Sequence, residues 1–140
     1  MPDGSEFQFA LTGGAAGTLA TSAHLDIPID YSSFTQGVSL GAGAFLICDQ
    51  SISPREFLQV LLHFFAAESC GKCTPCRVGT RRLLELLTRM NEGDIQAQDA
   101  QDLVDLVDVM QAASFCGLGQ SVALPVRSAI TQFPSAFQAG

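Results

Sequence analysis

A chain of 140 residues with 47% apolar residues is long enough for one domain around a hydrophobic core, with room for a fragment of another. Its formal net charge of -7 argues against nucleic acid and anionic membrane surfaces as partners, since neither offers a compensating positive field. The longest apolar stretch, 57–67, is interrupted by Gln59 and His63 and falls short of the ~20 residues of a spanning helix, so a soluble protein without direct membrane insertion is expected.

In chain order, Met1 to Phe7, MPDGSEF, has the character of a cloning remnant and is set aside from fold reasoning. Phe7 to Leu11 alternates apolar and polar residues as a short strand does, and GGAAG at 13–17 reads as a flexible turn. His24 to Phe34 carries Pro28, which cannot donate within a sheet, and reads as an extended edge segment. Gly41-Ala42-Gly43-Ala44 lacks the third glycine of a dinucleotide loop and precedes a strand-like run, so it reads as a turn. Ala44 to Cys48, AFLIC, suits a buried strand, and Cys48 at its end reads as a small core residue instead of a ligand.

The second half is helical. Ser53 and Glu56 form a capping-box pattern around Pro54 at the first helical position. That helix should run to about Ala67, with Phe57, Leu58, Val60, Leu61, Leu62, Phe64 and Phe65 covering most of its circumference, as in a central, buried helix. His63 within it reads as a hydrogen-bonded boundary residue more readily than as a metal ligand or proton carrier. A second helix, Pro75 to about Asn91, turns Leu83, Leu84, Leu86, Leu87 and Met90 inward, and Gly93 stops it. A third, from about Ala97 to Ala113, has Leu103, Val104, Leu106, Val107, Val109 and Met110 as its buried stripe. Its Asp99, Asp102, Asp105 and Asp108 recur every third residue, either as a solvated face or as a docking surface for a basic partner. After a reversal at Ser114 to Gly119, a fourth helix spans Val122 to Phe133, with Pro125 in its first turn and Pro134 ending it; the tail beyond should fray. The fold class expected is mainly α: an antiparallel four-helix bundle preceded by a small β-containing segment.

The chemistry lies in the cysteines. Cys70, Cys73 and Cys76 stand two residues apart within ESCGKCTPCR, and Cys116 follows forty residues later in SFCGLG. Three thiolates so close reach three corners of a cubane more easily than they surround one ion, and a fourth ligand from elsewhere completes the local signature of a [4Fe-4S] site. A structural zinc site normally uses two separated CxxC pairs. A disulfide framework would leave one of five cysteines unpaired, and a lone redox CxxC would leave Cys76 and Cys116 without a role. Thr74 and Pro75 read as an N-cap and first helical position, which puts Cys76 in a first turn with the positive end of the helix facing the sulfurs. Lys72, Arg77, Arg81 and Arg82 add positive charge, which together with hydrogen bonds raises the potential of such a centre. Loops from two helix connections would meet there, at one end of the bundle.

ESCGKCTPCRVGT followed by SFCGLGQSVALPVRSAI resembles the C-terminal iron-sulfur domain of the NADH-binding flavoprotein subunit of respiratory complex I. The same module occurs in related NAD-linked hydrogenases and formate dehydrogenases. LTGGAAGTL, LDIPIDYSSF and GVSLGAGAFLICDQ are similar to the segment preceding it, so the resemblance runs from about Phe9 onward. It implies that Cys70, Cys73, Cys76 and Cys116 are the four ligands of a [4Fe-4S] cluster in a helical domain at 51–140. Residues 8–50 would then be the C-terminal part of a small β-containing linker domain. FMN and NAD would belong to a preceding domain missing from these 140 residues, so the piece would be inactive alone, and the strand at 7–11 would be disordered or pair with another copy. The resemblance further implies electron transfer from reduced flavin to other iron-sulfur centres. Iron-sulfur subunits of an NADH-dependent oxidoreductase complex would be the partners, in the cytoplasm and peripheral to the membrane. The alternative from a different class is a structural or assembly domain whose zinc site ties helices together and which docks to a partner subunit.

Overall fold

The computed structural model describes residues 4–139; the first three residues of the segment read as a cloning remnant lie outside them. Strand β1 (Phe7–Thr12) is the centre of a three-stranded antiparallel sheet, flanked by β2 (Thr18–Ala20) and β3 (Phe45–Asp49). Ala10 pairs with Ala20 on one side and Ile47 on the other. The first strand therefore has both its partners within the chain, contrary to the expectation that it would lack them. Its Phe9 is fully buried and meets Phe57 and Phe133 edge to face, at centroid distances of 5.1 and 5.5 Å. Those contacts fasten the sheet to the helices, and Phe9, Leu11, Leu19 and Cys48 belong to the same core as the helical residues.

Two other sheet expectations are corrected. Residues 24–34 are not extended: 3₁₀ turns occupy Ser22–His24 and Tyr31–Gln36. The Asp30 carboxylate accepts from the N–H groups of Ser32 and Ser33 at 2.7 and 3.1 Å, a local capping interaction that outweighs the apolar alternation. Nor is β3 buried. It is a sheet edge, with Phe45, Leu46 and Ile47 exposed and only Cys48 turned into the core.

Helix α1 (Pro54–Glu68) starts where the sequence places it, but the Ser53 hydroxyl makes no cap hydrogen bond. The start is set by Pro54 and by the Phe57 N–H donating to Ser53 O at 2.9 Å. Its buried stripe is Phe57, Leu58, Leu61, Leu62 and Phe65, while Val60 and Phe64 are 67% and 48% exposed, so the helix is one-sided instead of enclosed. Helix α2 (Thr74–Asn91) buries Leu83, Leu87 and Met90. Helix α3 (Asp99–Ala113) buries Leu103, Val107 and Met110, whereas Val109, expected in the same stripe, is 59% exposed.

The acidic repeat on α3 does not form one face. At about 100° per residue, the nine residues from Asp99 to Asp108 advance by half a turn beyond whole turns, placing the two on opposite sides. Asp99 is 2% exposed and accepts from Arg89 Nη2 at 2.5 Å and from the Gln96 N–H at 2.8 Å. Asp108 pairs with Arg127 of the last helix.

The expected fourth helix is α5 (Ala123–Gln132), with Pro125 in its first turn; the reversal before it contains a further short helix, α4 (Gly117–Ser121), joined to α5 at Val122. Pro125 separates the two, since it has no N–H to offer the Ser121 carbonyl and its ring crowds that oxygen. Among the described residues the fold is thus mainly α, with five α-helices and a small sheet where a four-helix bundle was expected. The tail is also ordered where fraying was expected. A 3₁₀ turn at Pro134–Phe137 tucks Phe137 into the core at 1% exposure.

The Arg89 and Asp99 pair gives a direct comparison with a surface pair. Replacing Arg89 by Met strands a buried carboxylate and should cost about 2 kcal/mol, the scale of a charged hydrogen bond. Replacing Arg82, whose bridge to Glu85 is exposed at both ends, should cost less than about 0.5 kcal/mol. Equilibrium urea unfolding of the two variants beside the parent measures both, and equal losses would contradict this account.

Candidate metal centre

The loop between α1 and α2 is shaped by three residues. Ser69 caps the C-terminal end of α1 in extended geometry (φ -63°, ψ 120°), turning the chain out of the helix. Gly71 follows at φ +73°, a left-handed conformation that glycine adopts without strain. Arg77, one turn into α2, reaches back and donates from Nη1 to Gly71 O at 2.6 Å and from Nη2 to Thr74 Oγ1 at 3.3 Å. The cap of α2 lies one residue earlier than the sequence suggests: Cys73 is the N-cap, and the Arg77 N–H donates to Cys73 O at 3.0 Å to close the first turn. Cys76 is then the third helical residue, held where unpaired N–H groups and the positive end of the helix favour a thiolate. Cys73 and Cys76 are buried, whereas Cys70 is exposed.

Cys116 arrives from the other connection, as the N-cap of α4. Two observations fix this turn against the triplet. The backbone groups of Phe115 and of Cys76 lie near enough to Cys73 to hold its thiol below its ordinary pKa. Gly119 packs so tightly that a Cβ on it would lie 2.4 Å from Ser114 Oγ and 2.9 Å from Cys76 Cβ. Cys70, Cys73, Cys76 and Cys116 accordingly line one cavity of about 80 Å³, together with Ser69, Gly71 and Leu118.

The donor set and the space fit a polynuclear centre. Four thiolates on one tetrahedral ion at 2.3 Å would lie about 3.8 Å apart. Here the four cysteines line a space of about 80 Å³, and among the described residues no three His, Cys, Asp or Glu side chains group tightly enough around a single ion. Ser114 Oγ, buried beside Gly119, has no partner of its own.

Residues set aside from the ligand set also lie elsewhere. Cys48 is buried in β3, and burial pushes its thiol pKa up. His63 is exposed on α1, away from this cavity, where a buried boundary position was expected. Of the basic residues, Arg77 grips the loop and Lys72 stands at the cavity lining, but Arg82 pairs with Glu85 and Arg81 faces a groove beside His63. Sequence reasoning missed Ser69, the Phe115 N–H, Gly119 and the short α4. Only the SxCGLG spacing, with a serine and a glycine flanking Cys116, hinted at so close an approach.

Residues 56–140 match the family model of the NADH-ubiquinone oxidoreductase-F iron-sulfur binding region. The chain belongs to this family. It is 34% identical over 139 residues to the NADP-reducing hydrogenase subunit HndC of Solidesulfovibrio fructosivorans, covering 99% of this chain and 28% of that protein. It is 35% identical to an NADH-quinone oxidoreductase subunit of Streptomyces coelicolor, again over 139 residues, 99% of this chain and 31% of that one. The corresponding Escherichia coli protein is 34% identical over 142 residues and is covered to 32%. The chain thus spans about a third of the length of the curated relatives it matches. An air-oxidized crystal structure of an NAD+-reducing [NiFe]-hydrogenase superposes with a TM-score of 0.86 at 29% identity, covering 96% of this chain and 23% of that one. The matched region contains Cys70, Cys73, Cys76 and Cys116, and the family it belongs to is an iron-sulfur binding one.

The thiols should be chemically distinguishable in the metal-free protein. Under native conditions at pH 8, Cys70 and Cys116 should be alkylated first because they are exposed, and Cys48 last because it is buried and its raised pKa leaves less thiolate at that pH. Timed iodoacetamide labelling with peptide mass spectrometry reads the order. Early labelling of Cys48 would contradict the core assignment.

Proposed function

We propose that this chain is an electron-transfer module in which Cys70, Cys73, Cys76 and Cys116 hold one [4Fe-4S] cluster. The observation that carries this is the shared cavity, in which the triplet and the remote cysteine meet although forty residues separate them. When bound, such a cluster supplies one-electron exchange at iron. The chain's own residues do the rest. Cys73 and Cys116 cap two helices and Cys76 sits in a first turn, so backbone N–H groups face the sulfurs. The Arg77 charge lies beside Cys73, and burial of Cys73 and Cys76 keeps water from two of the four sulfurs. Cys70 and Cys116 stay exposed, which leaves one side of the site open to an electron partner.

In this reading α1, α2, α3 and α5 make a four-helix unit with the centre at one end, and α4 belongs to the cluster loop. Residues 8–50 serve as the end of a β-containing linker domain and 51–140 as the iron-sulfur domain. The parent subunit takes electrons from NADH through FMN bound in another domain and passes them to iron-sulfur subunits of a larger complex. Among the described residues no helix is long and apolar enough to cross a membrane, so any membrane association would run through that complex.

Anaerobic reconstitution tests this. About four irons and four sulfides per chain are expected, with a paramagnetic signal after dithionite reduction. Cys116→Ser should lose at least half of the iron, while Cys48→Ala should keep it. A wild-type chain that takes up one tightly held zinc and no iron would overturn the reading in favour of a structural site.

A further inference from the structure

The Ser69 hydroxyl is within hydrogen-bond distance of a sulfur of the proposed ligand set. Ser69 Oγ lies 3.3 Å from Cys76 Sγ, and the N–H of Gly71 donates to the same Oγ at 3.4 Å. The Gly71 carbonyl is in turn gripped by Arg77, the residue after Cys76. Ser69, Gly71, Arg77 and Cys76 therefore close a ring that ties the end of α1 to the first turn of α2. Its Cys76 end is 5% exposed and the Ser69 contact is part-buried, while the Arg77 link to Gly71 is on the surface.

The direction of the Ser69 contact follows from counting hydrogens. A hydroxyl has one hydrogen and two lone pairs, and Gly71 already occupies a lone pair. A cysteine that ligates iron is a thiolate and has no hydrogen to give. The proton between the two atoms is then the one on Ser69 Oγ, and Cys76 Sγ accepts it as a charge-assisted hydrogen bond. Reduction by one electron from an external low-potential donor increases the negative charge shared by the thiolates, so this bond is stronger in the reduced state. No bond to Ser69 forms or breaks, and its proton stays on Oγ.

We propose that Ser69 is a positioning and tuning residue of the centre, which raises the reduction potential by donating to the Cys76 thiolate while the Gly71 N–H fixes its orientation. This rests on the reading of Cys76 as a cluster ligand, and the two are separable by experiment. Iron and sulfide content of reconstituted wild-type protein reports on the ligand reading; the potential of a Ser69 variant at unchanged iron content reports on the serine. In a mediated potentiometric titration followed by electron paramagnetic resonance, Ser69→Ala should lower the reduced-to-oxidised ratio at a fixed potential about tenfold, which is 59 mV for a one-electron couple. Ser69→Thr, which keeps the hydroxyl, should restore the wild-type value. A full complement of iron in Ser69→Ala with an unchanged potential overturns the proposal. Should Ser69→Ala not assemble, electron-nuclear double resonance of the wild-type protein in water and deuterium oxide decides. A strongly coupled exchangeable proton that persists in Ser69→Thr supports the hydrogen bond, and its absence from the wild type overturns it. No iron in the wild type overturns both readings.

Discussion

The structure depends on one approach: the turn at 114–119 comes to rest on the loop that carries the cysteine triplet. Two backbone facts make it possible. Gly119 has no Cβ where one would collide with Ser114 and Cys76, and the backbone at Phe115 comes near enough to Cys73 to lower its thiol pKa. Without them, Cys116 would cap a short helix somewhere near the triplet and enclose nothing. With them, four sulfurs from two distant stretches share one small cavity.

The rest of the fold holds those two loops still. Helices α1 and α2 are locked to each other by a leucine-rich interface and by a polar ladder in which Asn91 donates to Gln59 and Gln59 to Thr88. Helix α3, which delivers the second loop, is pinned at its start by the buried pairing of Asp99 with Arg89 of α2. Its register against α2 is therefore set at the end far from the cysteines, and the helix transmits that register along its length. The sheet contributes from the opposite side. Phe9 wedges between Phe57 and Phe133, and the Leu19 N–H donates to Ser128 Oγ at 2.9 Å, so the strands brace α1 and α5 together. One continuous core connects strand packing to loop position, and a defect in one is felt by the other.

Legibility followed the range of the interactions. Helices α1, α2 and α3 were plain because apolar periodicity and the prolines at the starts of the first two are local signals. The cysteine triplet was plain for the same reason. Apart from the meeting of Cys116 with the triplet, what depends on a distant partner is less legible. The strand at Phe7 looked orphaned because its second partner, Phe45–Asp49, lies more than thirty residues on, and AFLIC looked buried because its run says nothing about which edge of a sheet it occupies. The acidic repeat looked like a face because a period of three is close to 3.6, yet the difference accumulates to half a turn over nine residues. At Asp30 the information is present in the sequence, as an Asp-Ser capping turn that competes with apolar alternation, whereas Pro125 stands in the first turn of its helix as its missing N–H dictates. At the site, Ser69 lies inside the cysteine motif itself, but a serine's importance shows only when its hydroxyl is found beside a sulfur.

The central claim is that the residue at 116 sits over the triplet, and a short bifunctional thiol reagent tests it in the metal-free protein with no assumption about iron. Digestion and mass spectrometry should recover a bridge joining Cys116 to one of Cys70, Cys73 or Cys76 within a single chain. Bridges confined to the triplet, with Cys116 only singly modified in a folded protein, would contradict the account.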